Sequence, residues 1–282
     1  MPELPEVEVL ARHLAPLLCG KTIRAIDVRR ARVIRPTTLK QLEEQLVGAT
    51  FLHLRRRGKY LLFDLKRKGG GQFTCLGHLG MTGRMFLQPR AAKLPKHAAV
   101  ALDLGRLRFV FEDTRYFGRF TLDTTPVELL GPEPLSQEFE VDPFALALKR
   151  SSQSIKVKLL DQCLVAGIGN IYASEALFRA RIGPRRAARS LKREEVRHLH
   201  AAIRTVLHEA IDGGSTVPLD FAGENKTDRL FYFGRTTTTP DHYEERLQVY
   251  DREGDSCANC GAKIKRFMQA ARSTFYCPKC QH

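Results

Sequence analysis

The chain has 282 residues, 43% of them hydrophobic, with 46 Lys and Arg against 31 Asp and Glu, a formal charge of +15. That length supports about two domains with cores of their own. No apolar run approaches the ~20 residues of a membrane span, and the acidic start lacks the basic and apolar regions of a secretory signal, so an intracellular protein without a membrane partner is expected. The basic balance favours a polyanionic partner, through counterion release as phosphates are neutralised, although a solvated charged surface would carry the same excess.

Val7, Leu10, Leu14, Leu17 and Leu18 recur at three- and four-residue intervals and predict a helix over 5–18, closed by Gly20. Strand-like runs follow at 22–28, 50–54, 59–65 and 72–76, and 97–104 with 106–112 alternate around Gly105 as a hairpin. Closely spaced strands behind one helix predict an α+β chain whose N-terminal domain, 1–130, is an antiparallel β-sandwich. Gly131-Pro132-Glu133-Pro134 breaks the pattern and opens a linker, 131–150. Helical patterns over 155–165 and 171–180 flank the glycine-rich 166–170. Ser190 can cap a long helix with Val196, Leu199, Ile203, Val206 and Ala210 on one face, ending at Gly213-Gly214. With a long loop at 222–246 these make a C-terminal helical domain, 151–246, and a zinc module occupies 247–282.

Cys19, Cys75 and Cys163 lie singly in apolar surroundings and read as small buried hydrophobes. Cys257 and Cys260, with Cys277 and Cys280, form two CxxC pairs, the spacing of one structural Zn2+ per chain. A reducing compartment and the paired spacing disfavour disulfides. At the other end, loss of Met1 would leave Pro2 with a free secondary amine titrating near ~7.7–8.0. Such an amine can form an iminium at a sugar C1′, expel a base and acidify the 2′ proton. Taken alone, the same proline would only fix the approach to the first helix.

Six segments in order resemble the bacterial formamidopyrimidine-DNA glycosylase family from end to end: Pro2-Glu3-Leu4-Pro5-Glu6-Val7, Arg57-Gly58-Lys59-Tyr60-Leu61, His78-Leu79-Gly80-Met81-Thr82-Gly83, Asp161-Gln162, 167–175, and 272–278. The resemblance implies a β-sandwich joined to a helix-two-turn-helix domain and a zinc-finger hairpin, binding damaged double-stranded DNA as a monomer in the bacterial cytoplasm, at the nucleoid. It implies that Pro2 is the nucleophile, Glu3 the general acid, Glu6 an orienting carboxylate, and Lys59 a phosphate contact that assists base loss. Arg272, in the hairpin, would grip the lesion's phosphates and serve δ-elimination. Glu8 is left as charge at a helix N-terminus, and Arg55, Arg56 and Arg57 as surface charge.

By the same resemblance Met81, Arg115 and Phe117 fill the space left by an extruded nucleotide. His97, Lys156 and Asn170 match phosphate contacts, the glycines before Asn170 allowing close approach of DNA. Arg150 joins them, although Ser151 and Ser152 interrupt the basic run there. Tyr116 stands where the family has a second basic residue. The implied activity is that of a bifunctional glycosylase and AP lyase of base excision repair, removing 8-oxoguanine opposite cytosine and formamidopyrimidines by β,δ-elimination. Leu4 and Arg115 favour this branch over an endonuclease VIII-like (Nei) enzyme for oxidised pyrimidines; a lesion-binding protein without catalysis is the alternative from another class. Convergence of the Pro2 nitrogen, the Glu3 carboxyl and the Lys59 ammonium is expected. The 222–246 segment, with its threonine run and Phe231-Tyr232-Phe233, is longer than the family's usual loop.

Overall fold

Continuous buried runs, Ala98–Leu102 and Phe109–Asp113 among them, build the two sheets of the N-terminal region. The computed structural model describes residues 2–213 and 247–282; the expectations for Met1 and for the 222–246 loop lie outside the described residues. The chain divides into two units, one built on Glu6–Glu128 with Pro2, the other on Leu129 onward with Glu3–Pro5.

In the first unit, helix α1 (Leu4–Leu18) buries Val7, Leu10, Leu14 and Leu18. Strands β1 (Ala25–Val28), β2 (Thr50–Arg57), β3 (Tyr60–Lys66), β4 (Gln72–His78), β5 (Gly83–Pro89), β6 (Ala98–Asp103), β7 (Leu107–Asp113) and β8 (Arg119–Thr121) follow. They form two four-stranded sheets ordered β2-β3-β4-β8 and β1-β6-β7-β5, with antiparallel pairing throughout. Phe51, Phe63 and Phe120 of one sheet share a core with Met85, Val100, Phe109 and Phe111 of the other. The Phe63 and Phe109 rings meet edge to face, centroids 5.7 Å apart; truncating such a ring to alanine costs about 3–5 kcal/mol.

Helix α2 (Leu39–Leu46), which hydrophobic period alone did not reveal, starts on a capping box. Gln41 N donates to Thr38 Oγ1 (3.2 Å) and Thr38 N to Gln41 Oε1 (2.9 Å). Strand β5 also escaped the period-two pattern. Met85, Phe86 and Leu87 are all buried, because Phe86 packs against Ala98, Val110 and Leu94 on the opposite face from the main core. Helix α3 (Thr125–Glu128) ends this unit.

In the second unit, helix α4 (Val141–Lys149) occupies the stretch expected as a linker. Phe144 and Leu148 enter the core, and Arg204 Nη1 donates to the carbonyls of Pro134 (2.9 Å) and Ser136 (2.8 Å), so this stretch is packed structure. Helix α5 (Ile155–Leu159) is shorter than the pattern over 155–165 suggested. Asp161 and Gln162 draw the chain into turns instead: Asp161 accepts from Lys158 Nζ (2.7 Å) and Cys163 N (3.0 Å), while Gln162 Nε2 donates to Ile168 O (2.8 Å) and its Oε1 accepts from Gly167 N (2.9 Å). Helix α6 (Asn170–Arg179) follows. Helix α7 (Arg193–Asp212) begins two residues later than a Ser190 cap would place it, with Lys192 at the N-cap. The Ser190 hydroxyl bonds Ala187 O (2.7 Å), and Glu195 accepts from Lys192 N (2.7 Å).

Beyond α7 the described chain resumes at Leu247. There the buried carboxylate of Glu175, on α6, accepts from the N–H groups of Gln248 (2.9 Å), Val249 (3.0 Å) and Tyr250 (2.8 Å). Strands β9 (Lys265–Gln269) and β10 (Arg272–Tyr276) close the chain as a hairpin.

Of the three single cysteines, Cys75 is buried, while Cys19 and Cys163 are exposed, against expectation. Cys19 sits just past the C-terminal end of α1, and Cys163 lies in the polar turn organised by Asp161. No helix among the described residues is long and apolar enough to cross a membrane.

Candidate nucleic-acid site and zinc centre

The Glu3 carboxylate is held at the start of α6. It accepts from Gly169 N (2.8 Å), Ile171 N (2.9 Å) and Tyr172 N (3.3 Å), N–H groups with no partner inside a helix and at the positive end of its dipole. The glycines of 167–169 make room for this contact. A Cβ on Gly169 would lie 2.7 Å from Glu3 Cγ and nearer still to the carboxyl group. Gly167 adopts φ +85° with the Leu4 side chain 2.7 Å from where its Cβ would stand, and its carbonyl accepts from Leu4 N (3.0 Å). On the side where a Cβ would stand, the space at these two glycines is taken by Leu4 and Glu3.

Lys156 and Asn170 meet on the hairpin. Lys156 Nζ donates to Ser273 O (3.0 Å) and Thr274 Oγ1 (2.8 Å), and Asn170 Nδ2 donates to the same Ser273 carbonyl (2.9 Å). Burial pushes the Lys156 ammonium down to about 7; Glu3 opposes that shift and Arg272 adds to it. Arg272 pairs with Gln269 across a two-residue turn and is exposed. The turn residues Ala270 and Ala271 have φ +47° and +58°, a left-handed conformation that costs an alanine about 1–2 kcal/mol. Arg150 caps the C-terminal end of α4, exposed and outside this cluster.

The Sγ atoms of Cys257, Cys260, Cys277 and Cys280 all lie within 4.8 Å of one another, with Cys257–Cys280 at 3.9 Å and Cys260–Cys277 at 3.5 Å. Four thiolates about 2.3 Å from a tetrahedral zinc would stand about 3.8 Å apart, so the residues fit one structural Zn2+. Such a set leaves no open coordination position, and its role is to fold the hairpin around Ile264 and Phe275.

In the first unit Pro2 and Glu6 are buried, and so is Lys59, between β2 and β3. Tyr60 pairs with His78 across β3 and β4, rings 4.8 Å apart. His78 was not among the expected site residues, although it opens the His-Leu-Gly-Met-Thr-Gly segment. Its Nδ1 accepts from Gly80 N (3.2 Å). Burial lowers its pKa to about 4, with Lys59 and Arg119 adding to the shift and Asp113 opposing it, so near neutrality the ring is uncharged and presents Nε2–H. Arg56 is not surface charge: its guanidinium, one-tenth exposed, bonds Glu8 (2.7 Å), which also takes Arg12 (2.7 Å). Glu8 therefore joins strand to helix, and Arg55 pairs with Asp64 on the neighbouring strand.

Met81 and Phe117, each 41% exposed, stand out as uncovered apolar side chains. The guanidinium groups of Arg115 and Arg32 lie over the Phe117 ring at 4.9 and 5.6 Å. Tyr116 has φ +53° and turns the other way, its ring under Arg30 (5.1 Å) and its hydroxyl 3.4 Å from His97 Nδ1.

Residues 1–120 match the formamidopyrimidine-DNA glycosylase N-terminal domain, 130–220 the formamidopyrimidine-DNA glycosylase H2TH domain, and 254–282 the zinc finger found in FPG and IleRS. The chain is 43% identical to a formamidopyrimidine-DNA glycosylase of Thermus thermophilus, covering 100% of this chain and 98% of that one. It is 38% identical to the protein of that name from Carboxydothermus hydrogenoformans, covering all of both. Among solved structures, Lactococcus lactis Fpg with abasic-site DNA superposes with a TM-score of 0.86 at 34% identity, over 99% of each chain. The Lactococcus lactis complex with Fapy-dG-containing DNA gives 0.85 at 33%, over 99% of this chain and 100% of that one.

Proposed function

The chain belongs to the formamidopyrimidine-DNA glycosylase family, and on that premise we propose that it is a DNA glycosylase and AP lyase of base excision repair. It acts in the cytoplasm on double-stranded DNA carrying oxidised purines, 8-oxoguanine and formamidopyrimidines. Residues 1–130 serve as the catalytic domain, 131–150 as the joining segment, 151–246 as the helix-two-turn-helix domain and 247–282 as the zinc finger. The observation that carries the reading is the Glu3 carboxylate fixed by three N–H groups at the start of α6, those of Gly169, Ile171 and Tyr172, one residue from Pro2, in a chain whose glycines leave room for it.

With Met1 removed, the Pro2 nitrogen attacks C1′ of the damaged nucleotide. The C1′–N bond breaks and the base leaves carrying the proton given up by the amine; the C1′–O4′ bond then opens, O4′ takes a proton routed through Glu3, and an iminium links C1′ to the Pro2 nitrogen. Loss of the 2′ proton expels the 3′ phosphate; a second elimination expels the 5′ phosphate and leaves a one-nucleotide gap. Glu6 orients the nucleophile. Lys59, Lys156, Asn170, His97, Arg150 and Arg272 hold phosphates, which sets register without reading sequence, and His78 offers a neutral donor beside Lys59. Met81, Arg115 and Phe117 fill the vacated stack. The zinc, when bound, supplies the folded hairpin and no chemistry.

Met-processed protein, its terminus confirmed by mass spectrometry, is incubated with an 8-oxoguanine:cytosine duplex and a dihydrouracil duplex, with and without borohydride. A trapped adduct on the first, and cleavage leaving phosphates on both ends without borohydride, is the expected result. Trapping on the pyrimidine lesion alone reassigns the substrate. Binding with no adduct on either duplex refutes the catalytic reading.

A further inference from the structure

Asp113 is fully buried at the end of β7, and one carboxylate serves two turns. Its Oδ1 accepts from Thr82 Oγ1 (2.6 Å), next to Met81, and from Arg115 N (3.1 Å). Its Oδ2 accepts from Gly118 N (2.8 Å), next to Phe117. The turns also touch backbone to backbone. A Cβ on Gly80 would lie 2.6 Å from Gly118 N, and one on Gly118 would lie 2.6 Å from His78 O.

Met81 and Phe117 are large apolar groups with much of their surface in solvent. Packing, with the two guanidinium groups over the Phe117 ring, fixes them in part, and the backbone that carries them sets the rest of their placement. A buried carboxylate that loses a donor loses a charge-assisted bond and keeps its desolvation cost, so the three bonds to Asp113 resist separation of the turns.

We propose that Asp113, with Thr82, is the positioning residue that joins Met81, Arg115 and Phe117 into one preassembled wedge. It governs how readily the protein opens a duplex at a lesion and leaves the chemistry at the sugar to other groups. This rests on the glycosylase reading above for the function of the wedge, while the clasp itself is geometry.

Two variants test it, Asp113→Asn, which keeps shape and loses an acceptor, and Thr82→Val, which removes one hydroxyl and protects the test if the first fails to fold. Excision is measured on an 8-oxoguanine:cytosine duplex, and borohydride trapping on a single-stranded oligonucleotide with an abasic site, which has no stack to refill. Fluorescence of 2-aminopurine beside the lesion reports wedge insertion. Both variants should lose about tenfold or more in kcat/KM on the duplex and lose the fluorescence rise, with single-strand trapping within about twofold of the parent. Adding Thr82→Val to Phe117→Ala should cost little beyond Phe117→Ala alone. Equal losses on duplex and single strand, or a Thr82→Val protein that matches the parent in both excision and fluorescence, would overturn the proposal. If the parent itself neither cleaves nor traps, the glycosylase reading fails. The fluorescence change on lesion binding then decides the clasp alone: an undiminished rise in Thr82→Val refutes it and a lost rise supports it.

Discussion

Replacing Gly169 with alanine strikes the Glu3 cradle while altering one methyl group. Gly169 has φ −128°, a conformation any residue adopts, so the whole effect comes from the added Cβ. That atom would lie 2.7 Å from Glu3 Cγ, where ordinary contact begins at 3.4 Å; Glu3 must withdraw by at least ~0.7 Å in an interior packed too tightly to absorb it. The bonds at 2.8, 2.9 and 3.3 Å then lengthen together. Each charge-assisted bond is worth about 1.5–3 kcal/mol, and a misplacement of about 1 Å at a reacting group costs on the order of 100-fold in rate. Single-turnover base excision should therefore fall by about two orders of magnitude. Adduct formation at a preformed abasic site, where no base must leave, should fall less. The assay compares both substrates at saturating enzyme, with circular dichroism to confirm folding. A folded Gly169→Ala protein that excises at the parental rate would refute the idea that the glycines exist to seat Glu3.

Lys156 predicts a pH dependence. Its folded pKa, pushed down to about 7 from 10.5, means the unfolded chain binds this proton more tightly; this group's contribution to stability is full above about 10.5 and is lost as pH falls to about 7. A phosphate alongside favours the ammonium, so DNA binding between pH 7 and 9 takes up a proton and affinity should fall with rising pH, by up to about tenfold per unit. Lys156→Gln should flatten that slope in a titration with an abasic-analogue duplex; an unchanged slope would exclude Lys156 as its source. Removal of zinc by a chelator, or Cys277→Ser, should abolish DNA binding by releasing Ser273 from Lys156 and Asn170, with far-ultraviolet dichroism showing the β-rich unit still folded. Parental affinity in the Cys277→Ser protein would contradict the structural role of the metal.

What could be read in the sequence was whatever depends on neighbours along the chain. The stripe of Val7, Leu10, Leu14 and Leu18, the strands ending in His78 and Asp113, and the two CxxC pairs all follow from local spacing. Helix α4 did not announce itself, because the prolines before it outweighed the apolar face of Phe144 and Leu148, which acquires meaning only against α7. The candidate site was legible as a set of residue types, and less so as a geometry. Nothing near Glu3 in sequence reveals that its partners are Gly169, Ile171 and Tyr172. Nor does the Arg55-Arg56-Arg57 run show that its middle member is buried on Glu8. A carboxylate's long-range N–H partners leave no periodic trace; the glycines that make room for it are the only sign.

The Glu175 anchor has a consequence for how such a protein diversifies. Where the described chain resumes at Leu247, one buried carboxylate on α6 takes three consecutive N–H groups. Because the donors are backbone groups, the grip itself reads no side chain: residues 248–250 can be exchanged without loosening it, provided none becomes proline, whereas Glu175 cannot be exchanged. One acidic residue on a helix thus fixes where the zinc module begins, and sequence drift along the strand of chain it holds leaves that starting point unmoved.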